Sequence, residues 1–242
     1  MRTLVAALGL LSAMCANVAW ATPSTTYWTP CTTDIQAPRV WHLGIDDYFT
    51  VGKRGPGNSG EGFPTDVGVQ YGIEVTKKIQ AEVGCDMLEP ADDPWYLNGK
   101  IGCPEGALGA GAPAIELGIF NVGLHRGVTN QDIFNVIIGK TLPDNSGRLH
   151  AALYCGNPGV LRSGEGAREN TGFMIAYDRW LIPGKWLLAA DWASGKNAIG
   201  GGGAGVYYFF TKDVSVLAGP VWFNDRGING TVKWTTQIDI NF

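Results

Sequence analysis

Thr231-Val-Lys-Trp-Thr-Thr-Gln-Ile-Asp-Ile-Asn-Phe242 closes the chain and decides how the rest of it is read. Val232, Trp234, Ile238, Ile240 and Phe242 share one parity, interrupted only by Thr236. The other parity carries Thr231, Lys233, Thr235, Gln237, Asp239 and Asn241, all polar. Successive side chains of a strand point to opposite faces, so this stretch has one apolar and one polar face. Such a strand fits the end of a soluble sandwich, a lipocalin-like barrel or a barrel that crosses a membrane.

The same rhythm extends back through the chain. Trp41, Leu43, Ile45, Phe49 and Val51 alternate with His42, Gly44, Asp46 and Tyr48. Val67 to Val75 and Ile79 to Met87 repeat the pattern, joined by a tight Thr76-Lys77-Lys78 turn. Further strands are predicted at 95–103, 113–123, 132–141, 148–156, 172–181, 186–194, 204–211 and 213–223. That makes about twelve strands of roughly ten residues, the length a tilted membrane strand needs. Residues 204–211 and 213–223 are apolar on both parities, so the pattern leaves their facing open. Nothing after residue 21 sustains a helical period or an apolar run long enough for a membrane helix.

The connections alternate in length. Residues 52–66, 88–94, 124–131, 157–171, 195–203 and 224–230 form one set, and 76–78, 104–112, 142–147, 182–185 and 212 form the other. Except for 104–112, the second set is the shorter. Outer-membrane barrels have long external loops and short periplasmic turns, whereas a soluble sandwich has no reason to alternate. With the first strand starting in the periplasm, Trp41, Trp180, Trp186, Phe210 and Phe242 fall at periplasmic ends. Phe49, Trp95, Phe134, Phe173, Trp192, Trp222 and Trp234 then fall at external ends. These are the two aromatic girdles expected at the lipid–water interfaces. Trp180 departs from the apolar parity of its own strand.

Composition agrees. Charged residues are 17% of the chain and glycine supplies 35 positions, which favours short strands and turns over disorder. The net charge of −4 argues against nucleic acid as a partner. Residues 1–21 read as a secretory signal, with Arg2, an apolar Leu4–Met14 core and Ala19-Trp20-Ala21 for cleavage. Residues 22–38 are polar and proline-punctuated, and read as an extended periplasmic N-terminal arm. Residues 39–242 form the expected barrel.

On the terminal strand, the chain resembles Gram-negative outer-membrane β-barrels of the porin-like kind. The resemblance covers 39–242 and identifies a class rather than a family. It implies an all-β fold, an antiparallel up-and-down barrel of about twelve strands in the bacterial outer membrane. It also implies that Trp234, Ile238, Ile240 and Phe242 serve as the signal read by the barrel-assembly machinery, with outer-membrane lipid and small solutes as the other partners. It says nothing of oligomeric state.

If the apolar parity faces lipid, the interior candidates are Asp46, Glu74, Glu82, Asp86, Lys100, Glu116, His150, Asp178, Asp191, Lys233 and Asp239, with His42 beside them. Eight of these are carboxylates and two are lysines. Such a set is either a polar filling that rigidifies a narrow barrel or the wall of a passage favouring cations. Glycines of the same parity (Gly44, Gly68, Gly72, Gly84, Gly102, Gly118, Gly123, Gly156) withdraw side-chain volume and favour the passage. The function expected is passive passage of small hydrophilic or cationic solutes. The alternative is a closed barrel with a structural or partner-binding role.

An outer-membrane hydrolase is the remote third reading. His42 and His150 lie toward periplasmic strand ends, whereas Asp46, Asp47, Asp86 and Asp191 lie toward external ends, so no local motif joins them. No cofactor or metal is expected, because Cys31, Cys85, Cys103 and Cys155 form no Cys-x-x-Cys motif. Gly200–Gly203 lacks the Gly-Lys-Ser/Thr ending of a phosphate-binding loop. Of the possible disulfides, strand placement leaves only Cys31 with Cys103.

Overall fold

The computed structural model describes residues 27–51 and 63–242. The expected signal segment and most of the 52–66 loop lie outside them. Twelve strands close on themselves in chain order: β1 (Trp41–Phe49), β2 (Thr65–Thr76), β3 (Ile79–Glu89), β4 (Trp95–Cys103), β5 (Ala114–Gly123), β6 (Asn130–Thr141), β7 (Arg148–Cys155), β8 (Thr171–Ile182), β9 (Trp186–Ala193), β10 (Gly201–Phe209), β11 (Val214–Phe223) and β12 (Lys233–Asn241). Every neighbouring pair is antiparallel, which is the up-and-down barrel read from the alternation. At one rim three connections are tight (77–78, 183–185, 210–213) and 104–113 is the exception, while the longest connections (156–170, 224–232) lie at the other rim. We refer to these as the turn rim and the loop rim.

The terminal strand closes the barrel. β12 pairs with β1 through Phe49↔Trp234, Ile45↔Ile238 and Leu43↔Ile240. Trp41 and Phe242 exchange two backbone hydrogen bonds of 2.9 Å at the turn rim. Because closure leaves no unpaired edge, every strand finds two neighbours for its backbone groups.

The barrel is apolar outside and polar within. Along β12, Lys233, Thr235, Gln237, Asp239 and Asn241 are buried, whereas Trp234 and Ile238 are exposed. Leu97, Ile101, Val136, Ile138, Leu153 and Ile175 likewise face outward. Aromatic side chains cluster on this outer surface near the rims, as in Trp41 against Tyr71 and Trp186 against Tyr208, both with ring centroids 4.7 Å apart. Trp180 is the exception. It turns inward against Phe209, 5.0 Å away, and its strand bulges between Trp180 and Ile182. It therefore belongs to the interior and to neither girdle.

One expectation needs correction. Residues 27–38 are extended, but they run inside the barrel instead of beneath it. Tyr27 sits between β10, β11 and β12 toward the loop rim, and Pro38 bridges Gly72 of β2 toward the turn rim. The reason is geometric. The inner faces of β6 to β11 lack the side-chain volume to fill a twelve-stranded interior, and the segment occupies that space.

The cysteine expectation is also corrected. No disulfide joins Cys31, Cys85, Cys103 and Cys155 to one another. Cys31 is buried among Ile133, Ile137, Met174 and Ala193 inside the barrel. Cys103 has the outward parity of β4, so the barrel wall separates the two.

Candidate functional site

The internal arm is held by one contact after another as it crosses the lumen. Asp191, on the inner face of β9, accepts hydrogen bonds at a single oxygen from the backbone N–H groups of Tyr27, Trp28 and Thr29, at 3.0, 2.9 and 2.7 Å. The Thr29 hydroxyl donates to the same oxygen at 3.0 Å. Three successive N–H groups around one carboxylate make a nest, the arrangement by which backbone binds an anion. Lower down, Thr33 N–H donates to His150 Nδ1 at 3.3 Å, which makes Nδ1 the accepting nitrogen and turns Nε2 the other way. That nitrogen lies 3.4 Å from Asp178 Oδ2. Arg148 grips Asp34 with two parallel bonds of 2.6 and 2.7 Å and donates through Nε to Asp178 at 2.9 Å. A planar guanidinium suits this forked geometry. Gln36 N–H donates to Glu82 at 2.8 Å, and its amide reaches Asn241 at 3.2 Å.

Glycines give the arm its room. A Cβ on Gly203 or Gly205 would overlap the Tyr27 ring, and one on Gly219 would stand 2.7 Å from its hydroxyl. Gly139 makes space for Thr33, and Gly72 for the backbone of Gln36 and Ala37. Tyr27 is completely buried in this seat, and its hydroxyl donates to Pro220 O at 3.1 Å. The two-faced apolar character of β10 and β11 follows from it. Tyr207, Phe209, Leu217 and Val221 point inward and pack around Tyr27, while Val206, Tyr208 and Trp222 point outward.

The other side of the lumen is hollow. A cavity of about 460 Å³ lies between the arm and the inner faces of β1 to β6 and β12. Asp46, Asp66, Glu82, Asp86 and Asp239 line it, against Lys100, Lys233 and His42. Lys233 Nζ donates to Thr50 Oγ1 at 3.0 Å, and Lys100 Nζ reaches Asp34 O at 3.4 Å. His42 Nδ1 donates to Asn241 Oδ1 at 2.9 Å, while its Nε2 lies 3.4 Å from Asp239. Asp86 accepts from the amides of Gln70 and Asn98.

The sequence-derived interior set therefore divides. Asp46, Glu82, Asp86, Lys100, Lys233 and Asp239 line the cavity. His150 and Asp191 bond the arm directly, and Asp178 holds Arg148, which grips Asp34 of the arm. Glu116 is fully buried, and neither of its carboxylate oxygens takes a hydrogen bond among the described residues. Glu74 is exposed near the turn rim, outside the cavity lining. Asp66, Gln70 and Asn98 belong to the cavity but were not singled out in the sequence. Asp66 follows a glycine-rich loop in the sequence, and the structure places it in β2 with the parity of Gly68 and Gln70. The two residues a hydrolase would most need are engaged elsewhere, His150 by Thr33 and Asp178, and Asp191 by the arm backbone.

No protein-family model and no curated protein matches the sequence. The fold does have counterparts. A NanC porin superposes with a TM-score of 0.54 at 7% identity, covering 84% of this chain and 98% of that one. An outer membrane channel from Pseudomonas putida F1 aligns with a TM-score of 0.41 at 9% identity, over 86% of this chain and 97% of its own. The outer membrane protein Omp33 of Acinetobacter baumannii gives 0.44 at 12%, over 84% and 96%. The chain thus has the closed antiparallel fold of the outer-membrane porin and channel class, and the NanC porin carries that likeness. The likeness is one of fold.

Proposed function

We propose that this protein is an outer-membrane channel that passes small hydrophilic solutes and favours cations, with the loop rim outside and the turn rim in the periplasm. The observation that carries this reading is the cavity beside the arm, where five carboxylates face two lysines and a histidine. Fixed charges of one sign in a narrow, low-dielectric passage raise the local concentration of the opposite sign. The apolar outer wall is suited to lipid, and the arm narrows a barrel whose twelve strands would otherwise leave a wider lumen. No chemical step is assigned to it.

The arm also supports a second reading, a closed barrel with a structural or partner-binding role, because its bonds to Glu82, Asn241 and Arg148 cross the turn-rim end. Planar-bilayer recording of the full chain separates the two. The channel reading predicts discrete current steps whose reversal potential in a KCl gradient has the sign of cation preference. Current no greater than the lipid baseline would favour the closed barrel.

A further inference from the structure

Within the cavity, three carboxylates stand together without a counter-ion. Asp46 and Asp66 are register partners across β1 and β2. Asp86 on β3 pairs with Gly68, one inward position along from Asp66. Gly68 has no side chain to screen it, and a Cβ there would stand 2.6 Å from Asp86 Oδ1. Among the described residues, no lysine, arginine or histidine forms an ion pair with any of the three. Like charges on neighbouring inward positions repel one another, and a bound cation relieves that repulsion.

A second observation shows what kind of cation is missing. Gln70 is only 7% exposed and lines the same cavity. Its amide nitrogen is committed to Asp86 at 3.2 Å, and its Oε1 has no donor. Asp66 Oδ1 is also buried without one. The cluster is rich in acceptors and short of N–H donors. An ammonium group supplies three donors and a positive charge and accepts nothing.

A third feature adds a preference for the rest of the ligand. Trp28, Tyr48 and Phe63 form one aromatic wall of the cavity, with ring centroids 5.1 to 5.6 Å apart. Tyr48 lies one inward position along β1 from Asp46. An apolar body placed there keeps its charged end within reach of the carboxylates, and the rings favour cations electrostatically as well.

We infer that the cavity is a binding site for organic amines, with the ammonium among Asp46, Asp66 and Asp86, its donors reaching Gln70 Oε1, and an apolar body against Trp28 and Tyr48. The inference deepens the channel reading and rests on it for the route by which the amine arrives.

The probe is phenethylammonium, with phenylacetate as the ligand of like shape and opposite charge. Calorimetric titration of the full chain in detergent is expected to show saturable phenethylammonium binding and none for phenylacetate. Asp66→Asn or Asp46→Asn is expected to weaken binding about tenfold, the loss of one charge-assisted contact. Trp28→Leu is expected to reduce the preference for phenethylammonium over methylammonium. The two carboxamide variants report independently, should one fail to fold. Absent binding, equal binding of phenylacetate, or full affinity in both carboxamide variants would overturn the site. In bilayers, a potassium current together with absent binding defeats the amine site and leaves the channel. Saturable binding without any current defeats the channel and leaves the site.

Discussion

One wall of the lumen is filled and the other is hollow, though both are built from the same alternating strands. Along β8 to β11 the inward positions are mostly apolar, among them Met174, Ala176, Ala189, Tyr207, Leu217 and Val221, and the arm packs against them and bonds to Asp191. Along β1 to β4 they are His42, Asp46, Asp66, Gln70, Glu82, Asp86 and Lys100, facing open space. The outward positions are apolar on both sides. Lumen chemistry is therefore set strand by strand according to what each inner face meets. A mostly apolar inner face marks protein packing, broken only by the polar groups that hold the arm, and a mostly acidic one marks the cavity.

The largest change should come from removing the filling. Deleting residues 27–38 turns the filled wall into a second open lane, so single-channel conductance is expected to rise several-fold. An unchanged conductance would place the current path elsewhere. Next in size is Asp191→Ala, which strips the acceptor from three arm N–H groups and the Thr29 hydroxyl. Stranding buried donors in this way costs about 3 kcal/mol, to be read as a lowered denaturant midpoint in detergent. Asp191→Asn keeps an acceptor and should lose less.

Gly203→Ala attacks the same seat from the opposite wall. Its Cβ forces the Tyr27 ring aside, an overpacking penalty of about 2 kcal/mol, with faster proteolysis of the arm as the direct readout. On the hollow side, Asp46→Asn should leave stability nearly unchanged and shift the reversal potential toward zero.

The smallest effect belongs to the turn rim, away from either wall. Lys140 and Glu105 pair at 2.6 Å with both side chains partly exposed. Burial pulls the Glu105 carboxyl upward, but the hydrogen bonds from Lys140 and Thr141 outweigh it and leave its pKa lowered. A carboxylate with a lowered folded pKa contributes stability at neutral pH, and that contribution is lost as pH falls through the folded value. Lys140→Ala should therefore cost under about 1 kcal/mol at neutral pH and nothing in acid, by paired unfolding curves.

The barrel was legible because its signals are local and repeated. Alternation, loop lengths and the terminal strand each state the same architecture, and β12 closing against β1 gives Phe242 its place beside Trp41. The arm was not legible in Thr22–Pro38 itself. Its partners, Glu82, Gly139, His150, Asp191 and Gly203, are scattered over the chain and share no spacing. Traces of it were nevertheless present. β10 and β11 carried apolar residues on both parities, Trp180 broke its parity, and Gly203, Gly205 and Gly219 stood at inward positions beside them. Parity alone makes every interior glycine a widening of the passage. Gly72 instead makes way for the arm, whereas Gly68 borders the cavity. Asp66 was missed because a glycine-rich loop ran up to it and obscured where β2 begins.

The division of the lumen can be tested by thiol accessibility in a chain whose native cysteines have been replaced. One variant carries Asp46→Cys in the hollow wall and another carries Leu217→Cys beneath Tyr27. A charged, membrane-impermeant thiol reagent added to the folded barrel should label position 46 rapidly and leave position 217 protected until the arm is deleted. Equal labelling of both positions in the intact chain would contradict the account.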